Sequence, residues 1–302
     1  PYIRRLQGII SLSLTAHPIM SKLISYRPDI DGLRAIAVLV VILFHAGASF
    51  LPGGFVGVDV FFVISGFLIT TIIQKELKQR SFSIKSFYKR RMTRILPVFY
   101  TVVAACFISA LILFTPADLQ NFAHSARYAV GFISNIYFHQ RTGYFAPASE
   151  LMPLLHTWSL SIEEQFYIFW PLLLILGFKY LSQVKLLTVT ALGTLAFLFL
   201  AEWGVTNNPN MAYYLLPFRA FELMLGALLA LTQAKDLTSK IPHSVNQLLS
   251  ITGLLLISLS VVFINESHSF PGINAFWPCL GAVLIIATGH NGETAVKRLL
   301  SN

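Results

Sequence analysis

The stretch Tyr26–Ile73, YRPDIDGLRAIAVLVVILFHAGASFLPGGFVGVDVFFVISGFLITTII, decides the fold. It contains two long apolar runs joined by a short turn rich in proline and glycine. In the first run Arg34 precedes His45 by eleven positions, which on a helix is about three turns plus roughly 20°. We therefore expect both side chains on one helix face, about 16 Å apart along an axis that crosses a ~30 Å hydrocarbon core. An ionisable group at that depth is costly to bury, so it is a candidate functional residue.

The composition is that of an integral membrane protein. Of the 302 residues, 55% are apolar and 12% are charged, whereas soluble domains contain about 25% charged residues. We predict an all-α, polytopic membrane helix bundle over 26–302, preceded by a cytoplasmic lead-in over 1–25. Window 128–138 is too short to cross a membrane and predicts a re-entrant or interfacial helix. Eight windows are predicted to span: 35–50, 56–73, 95–114, 157–178, 186–202, 212–233, 245–264 and 272–289.

The distribution of charge sets the predicted topology. If 128–138 does not cross, 19 of the 22 Lys and Arg residues lie on one side of the membrane, as the positive-inside rule expects for the cytoplasmic face. Both ends of the chain are then cytoplasmic. The net charge of +9 does not indicate nucleic-acid binding, because the basic residues occupy the gaps between apolar runs. The most basic gap, 74–94, is expected to contact anionic lipid.

Two sites near the ends of the predicted spans have two interpretations each. Asp59 begins the second span at a depth similar to that of His45, so it either orients the imidazole or caps its own helix. Arg91 and Arg94 are spaced i, i+3 and share a face. They either bind a cytoplasmic polyanion or act only as topology determinants.

Further candidates lie in two later spans. In HTWSLSIEEQFYIFWP (156–171), Ser161 and Glu164 match a capping box, which leaves Glu163 either as an interfacial carboxylate or as a group that holds a hydroxylated substrate. Arg219 and Glu222, spaced i, i+3, form either a structural ion pair or a catalytic one. No metal-ligand spacing occurs, and the two cysteines lie within apolar runs, where they act as small hydrophobic residues.

These residues suggest one reaction and one alternative. Histidine is the natural general base near neutral pH, although a lone membrane histidine is more often a hydrogen-bonding partner between helices. Arg34 and the basic segment on the same side favour a phosphate-bearing donor with a long arm, such as acyl-CoA. The alternative is a proton-coupled transporter or flippase, with His45 and Glu163 as a proton relay. No paired inverted halves are evident in the sequence, which argues against it.

Five sequence blocks are similar to acyltransferase family 3, bacterial membrane O-acyltransferases of cell-surface carbohydrates. The first block carries R-x10-H as Arg34 and His45, and KRRMTRILP carries R-x-x-R as Arg91 and Arg94. GVDVFFVISGFLIT (57–70), HTWSLSIEEQFYIFWP (156–171) and RAFELMLGALLA (219–230) complete the match. The resemblance covers nearly the whole chain, and it implies that two further spans, and in many relatives an outer esterase-like domain, would follow Asn302.

The resemblance implies acetyl-CoA as the usual donor, a sugar hydroxyl as the acceptor, and a bacterial inner-membrane location. We expect no metal, because the sequence contains no metal-ligand spacing. Arg34, Arg91 and Arg94 are expected to bind the CoA phosphates. His45 is expected to deprotonate the hydroxyl or to carry the acyl group. Asp59 and Glu163 complete the expected catalytic set, together with Arg34. The expected substrate-binding residues are Trp158, Ser159, Glu163, Arg219 and Glu222. The acceptor itself, whether lipopolysaccharide, peptidoglycan, exopolysaccharide or a glycolipid, stays open.

Overall fold

A computed structural model describes residues 26–141, 152–233 and 241–302. The predicted lead-in, 1–25, lies outside the described residues. The described residues form twelve α-helices and one 3₁₀ turn, Gly54–Val56, and contain no β-strand. The all-α prediction is therefore confirmed. The α-helices are α1 Pro28–His45, α2 Gly57–Lys78, α3 Ile84–Leu113, α4 Pro116–Val130, α5 Ser134–Gln140, α6 Thr157–Tyr180, α7 Gln183–Asn207, α8 Pro209–Tyr214, α9 Leu216–Gln233, α10 His243–Phe263, α11 Gly272–Asn291 and α12 Ala295–Ser301.

The predicted count of eight membrane spans is not confirmed. Among the described residues, six helical segments are long and apolar enough to cross a membrane. The two predicted spans outside this set correspond to α1 and α9, which have 18 residues each and carry charged side chains. The six segments are Gly54–Lys78, Ile84–Leu113, Thr157–Tyr180, Gln183–Asn207, His243–Phe263 and Gly272–Asn291.

The single short helix predicted over 128–138 is not present as such. α4 ends at Val130 and α5 begins at Ser134, with a turn between them. Phe132 in this turn has φ of 53°, a left-handed conformation that ends a helix. The window thus spans two short helices, and neither α4 nor α5 is among the segments able to cross.

The capping box predicted from Ser161 and Glu164 is wrong. α6 begins at Thr157, so Ser161 lies inside the helix rather than at its start. Its hydroxyl donates to the Thr157 carbonyl (3.1 Å) and lies 2.8 Å from the hydroxyl of Ser134 on α5. Ser161 therefore ties α6 to α5, a role that local sequence spacing did not reveal.

α2 is the central helix of the bundle. Its apolar side chains belong to both of the large buried clusters, one shared with α1, α10 and α11 and the other with α6 and α9. By contrast, α3 and α7 present large apolar side chains outward, for example Ile112 (77% exposed) and Phe199 (81% exposed). Such exposure is expected of lipid-facing surface in a multi-pass membrane protein and not of a soluble one.

α2 and α9 approach each other closely because glycines face backbone atoms at their crossing. A Cβ on Gly226 would overlap the carbonyl of Val63, and one on Gly66 would overlap the carbonyl of Leu223. Small residues at such crossings allow helix backbones in membranes to pack closely. This crossing fixes the position of α2 relative to α9, which carries Arg219.

Replacing Gly226 with alanine is expected to destabilise the protein by about 1–3 kcal/mol, because the added methyl group forces α2 and α9 apart. Thermal unfolding of the full-length protein in detergent measures the effect. Gly131→Ala is the matched control, since its Cβ would meet only ordinary contacts. Equal melting temperatures for the two variants would show that the α2–α9 contact is not tight.

Candidate active site

A cavity of about 240 Å³ lies where the C-terminal end of α1 meets the N-terminal end of α6. His45 lines it from α1, and His156, Trp158 and Ser159 line it from the start of α6. The aromatic side chain of Tyr213, from α8, forms another part of its wall. The cavity therefore joins the predicted catalytic histidine to two of the predicted substrate-binding residues, Trp158 and Ser159.

The backbone determines the tautomer of His45. Its Nδ1 atom lies 2.8 Å from the carbonyl oxygen of Val41, one turn earlier in α1. A carbonyl oxygen can only accept a hydrogen bond, so Nδ1 carries the proton. In the neutral imidazole Nε2 is then the nitrogen without a proton, and its lone pair can serve as a base or a nucleophile.

His156 is a second imidazole beside the first, and the predicted site residues did not include it. The ring centroids of His45 and His156 are 4.5 Å apart, with the rings nearly perpendicular. Burial, and then the neighbouring His45, lower the pKa of His156. Both effects favour the neutral form of this imidazole. The only sequence signal for it was its position at the start of the block 156–171.

A line of polar side chains runs along α6 away from this cavity. Ser159, Glu163 and Tyr167 are spaced i, i+4, i+8 and so share one helix face. The hydroxyl of Tyr167 donates to Oε2 of Glu163 (2.9 Å), and Ser65 of α2 interacts with both side chains. The polar line therefore continues inward from Ser159, which lines the cavity, to Tyr167.

The arginines lie at the other end of this line. Arg34, Val38, Val41 and His45 fall on one face of α1, and the last three line the cavity. The charges of Arg34 and Arg91 both act on Glu163. The expected alignment of Arg34 with His45 on a single helix is present, and Glu163 lies between the two functional ends.

Arg91 is more enclosed than Arg94 on α3. Its charge interacts with Tyr167 and Glu164 of α6, while Arg94, one turn further along α3, is exposed. Arg90 is bound to Glu76 of α2 (2.7 Å). Arg91 and Arg94 thus share a face, as predicted, and that face begins beside the polar line of α6.

Of the two interpretations of Asp59, the one in which it orients the imidazole of His45 is not supported, because no hydrogen bond joins the two side chains among the described residues. Oδ1 of Asp59 instead accepts a hydrogen bond from Nη2 of Arg219 (2.8 Å). Nε of Arg219 also lies 3.1 Å from a carboxylate oxygen of Glu222, and all three side chains are at most 1% exposed. The Val41 carbonyl, not Asp59, fixes the orientation of the imidazole.

Arg219 and Glu222 do not line the cavity, so the structure does not bring them to a substrate in it. The guanidinium carbon of Arg219 lies 5.4–5.7 Å from four aromatic ring centroids, and two of these rings, Trp158 and Tyr213, line the cavity. Such contacts between a cation and aromatic rings are attractive. The ion network of Arg219 therefore supports the cavity wall from behind.

A thiol and two carboxylates in this network have donor atoms close enough for a metal ion. Atoms of Asp59, Glu222 and Cys279 lie within 4.8 Å of one another. The guanidinium of Arg219 is bound in the same cluster, and its positive charge opposes a second cation. We interpret the cluster as an ion network of the protein core.

The fold and the site together define a class: a multi-pass helical membrane protein with an ionisable, histidine-lined cavity among its helices. Comparison with known families identifies it further. The family described as "Acyltransferase domain", acyltransferase family 3, matches residues 27–301. The chain belongs to this family and is an acyltransferase.

Similar proteins carry related names. The chain is 40% identical to an uncharacterized protein of Haemophilus influenzae, with 76% of this chain and 97% of that protein covered. It is 36% identical to the peptidoglycan O-acetyltransferase OatA of Listeria monocytogenes and 34% identical to the putative peptidoglycan O-acetyltransferase YrhL of Bacillus subtilis. Each of these two alignments covers 88% of this chain, and this chain spans 44% of the length of each relative. No solved structure matches the chain.

Proposed function

We propose that the protein transfers an acyl group, usually acetyl, from cytoplasmic acyl-CoA to a hydroxyl group of a cell-envelope carbohydrate. It does so in the bacterial inner membrane, with the N-terminus of the chain in the cytoplasm. One observation carries this proposal: Nε2 of His45 is available at a cavity from which a polar line leads to Arg34 and Arg91. The names of the relatives make peptidoglycan the first acceptor to test.

The donor would enter from the arginine end. Arginine binds phosphate through paired hydrogen bonds and stays charged at any relevant pH. Arg91, Arg94 and Arg34 would hold the CoA phosphates. The pantetheine arm would then extend past Glu163 toward His45, about 16 Å from Arg34 at 1.5 Å per residue. No metal is needed for this reaction.

The acceptor would enter the cavity from the opposite side. Trp158 would pack against the sugar, while Ser159 and Glu163 would hold its hydroxyl groups. Nε2 of His45 accepts the proton of the reacting hydroxyl as its oxygen attacks the thioester carbonyl carbon. The C–S bond breaks, the imidazolium returns the proton to the CoA thiolate, and the products are an ester and free CoA.

A two-step route uses the same atoms. Nε2 attacks the thioester carbonyl carbon, the C–S bond breaks, and CoA leaves as the thiolate, with a cationic acyl-imidazolium at His45. The sugar hydroxyl then attacks the acyl carbon, the bond to Nε2 breaks, and neutral His45 is released with the ester. His156, whose ring centroid lies 4.5 Å from that of His45, would accept the hydroxyl proton in this second step, and the proton then neutralises the CoA thiolate. Ping-pong kinetics distinguish this route from direct transfer.

Incubating the purified full-length protein with acetyl-CoA and a peptidoglycan-derived saccharide tests the proposal. We expect release of free CoA together with an O-acetylated saccharide. Transport of the saccharide across a vesicle membrane without cleavage of the thioester would instead support the proton-coupled transporter.

Replacing Arg91 with glutamine is expected to raise KM for acetyl-CoA by about 10- to 100-fold, the equivalent of losing a charged hydrogen bond of about 1.5–3 kcal/mol. Arg91→Lys is expected to recover only part of the affinity, since it keeps the charge but loses the paired geometry. Initial rates at varied acetyl-CoA measure the effect. Lys85→Gln is the control, because Lys85 is an exposed cation on the same helix. An equal rise in KM for both variants would mean that net charge alone attracts the donor.

A further inference from the structure

A second cavity, of about 220 Å³, lies between α4, α5 and the chain that leads into α6. Its polar lining comes from Asp118, Asn121 and Ser125 on α4 and from Arg141 just after α5. Tyr137 contributes an aromatic ring, and Met152 also lines the cavity. We name it the α4–α5 cavity. None of the residues proposed for the donor or for the reacting hydroxyl lines it.

The lining of the α4–α5 cavity suits a saccharide. Tyr137 forms an aromatic part of the wall, and the guanidinium of Arg141 lies over its ring, 5.4 Å from the centroid. The Asp118 carboxylate adds a hydrogen-bond acceptor, and it also accepts a hydrogen bond from the Thr115 hydroxyl. The side-chain amide of Asn121 adds both a donor and an acceptor. An aromatic surface with a few polar groups around it can bind a sugar ring by its apolar face and its hydroxyl groups. The volume is below the ~300–1,000 Å³ of drug-sized pockets, and so fits a small ring.

The charges in this cavity argue against a polyanion. One carboxylate and one guanidinium line it, so they offset each other. The cations proposed for the CoA phosphates lie at the other end of the polar line. A saccharide without phosphate groups is therefore the ligand class that the α4–α5 cavity favours.

The two cavities are neighbours. Pro153 lines the α4–α5 cavity and His156 lines the His45 cavity, so their Cα atoms are at most about 10 Å apart along the chain. Tyr137, which lines the α4–α5 cavity, and Trp158, which lines the His45 cavity, belong to one buried hydrophobic cluster. A short oligosaccharide could thus place one sugar in each.

We infer that the α4–α5 cavity is an acceptor subsite, which binds a saccharide residue adjacent to the one acylated at His45. This inference rests on the proposed function. It implies that the enzyme prefers an oligosaccharide to a monosaccharide. It also places Arg141 and Asn121 in acceptor binding, at a distance from the reacting atoms.

The test compares N-acetylglucosamine with its linear tetrasaccharide as acceptors for the full-length protein. In Arg141→Gln and Asn121→Ala, KM for the tetrasaccharide is expected to rise about tenfold, the loss of one good hydrogen bond. KM for the monosaccharide and for acetyl-CoA is expected to stay within twofold. Arg127→Gln and Gln120→Ala, both on α4 but outside the cavity lining, are the controls for the arginine and for the amide.

Three outcomes would overturn the subsite. The first is an unchanged preference for the tetrasaccharide in both variants. The second is an equal rise in KM for the monosaccharide and for the tetrasaccharide. The third is the same rise in KM for the tetrasaccharide in the control variants. Direct titration of His45→Ala with the tetrasaccharide separates this inference from the proposed function. If Arg141→Gln weakens the binding of the tetrasaccharide to His45→Ala, the subsite is supported even where no acetyl transfer is measured. If acetyl transfer occurs and Arg141→Gln does not affect it, the subsite is refuted and the proposed function is not.

Discussion

Alanine in place of His45 is expected to reduce acyl transfer by at least about 10²–10⁴-fold, the usual contribution of a positioned general base. Nε2 is the nitrogen with a free lone pair, because Nδ1 donates to the Val41 carbonyl. His156 does not replace it, since its ring lies beside that of His45 rather than in its position. The loss of activity is measured as the release of CoA and the acetylation of the saccharide in the same samples.

The control for this variant is His243→Ala. His243 is exposed at the start of α10 and lies outside the cavity lining, so its loss is expected to leave the rate within twofold. The amount of protein in the membrane and its melting temperature are compared for both variants. A rate for His45→Ala within tenfold of wild type, in protein that is folded and inserted, would contradict the assigned role.

Methionine in place of Arg219 is expected to destabilise the protein by about 3–5 kcal/mol, enough to prevent accumulation of folded protein. Arg219 is buried between Asp59 and Glu222, and its removal leaves two uncompensated carboxyl groups in the interior. Trp158 and Tyr213 would also lose the cation behind the cavity wall. Thermal unfolding of the full-length protein in detergent measures the loss.

Two further variants separate the ion network from a general effect of losing an arginine. Arg298→Met removes an exposed arginine of α12 and is expected to change the melting temperature little. The triple variant Asp59→Asn, Glu222→Gln, Arg219→Met removes all three charges and is expected to recover part of the stability, as replacement of buried ion pairs often does. If Arg219→Met alone were as stable as Arg298→Met, the network would contribute nothing to the fold.

Helices and their faces could be predicted from the sequence because they depend on local pattern. The window 157–178 corresponds to α6, Thr157–Tyr180, and the eleven-residue spacing of Arg34 and His45 placed them on α1 as expected. Helix ends were predicted less well. Ser161 matched a capping pattern, but tertiary contacts with α5 use its hydroxyl within the helix.

Contacts between distant parts of the chain could not be predicted in this way. Asp59 and Arg219 are 160 positions apart, and nothing in the spacing of either residue identifies the other as its partner. The depth argument placed Asp59 beside His45, but it does not determine the direction of a side chain. The hydrogen bond from His45 to a backbone carbonyl has no sequence signature at all.

The central claim is that one passage connects a donor site at the arginines to an acceptor site at His45, and sidedness tests it most directly. Full-length protein in vesicles is given acetyl-CoA on one side and the saccharide on the other, with orientation determined by protease access. We expect O-acetylated saccharide only when acetyl-CoA is on the side of Arg91 and the saccharide is on the opposite side. Product that forms only when both substrates are on the same side would contradict the account.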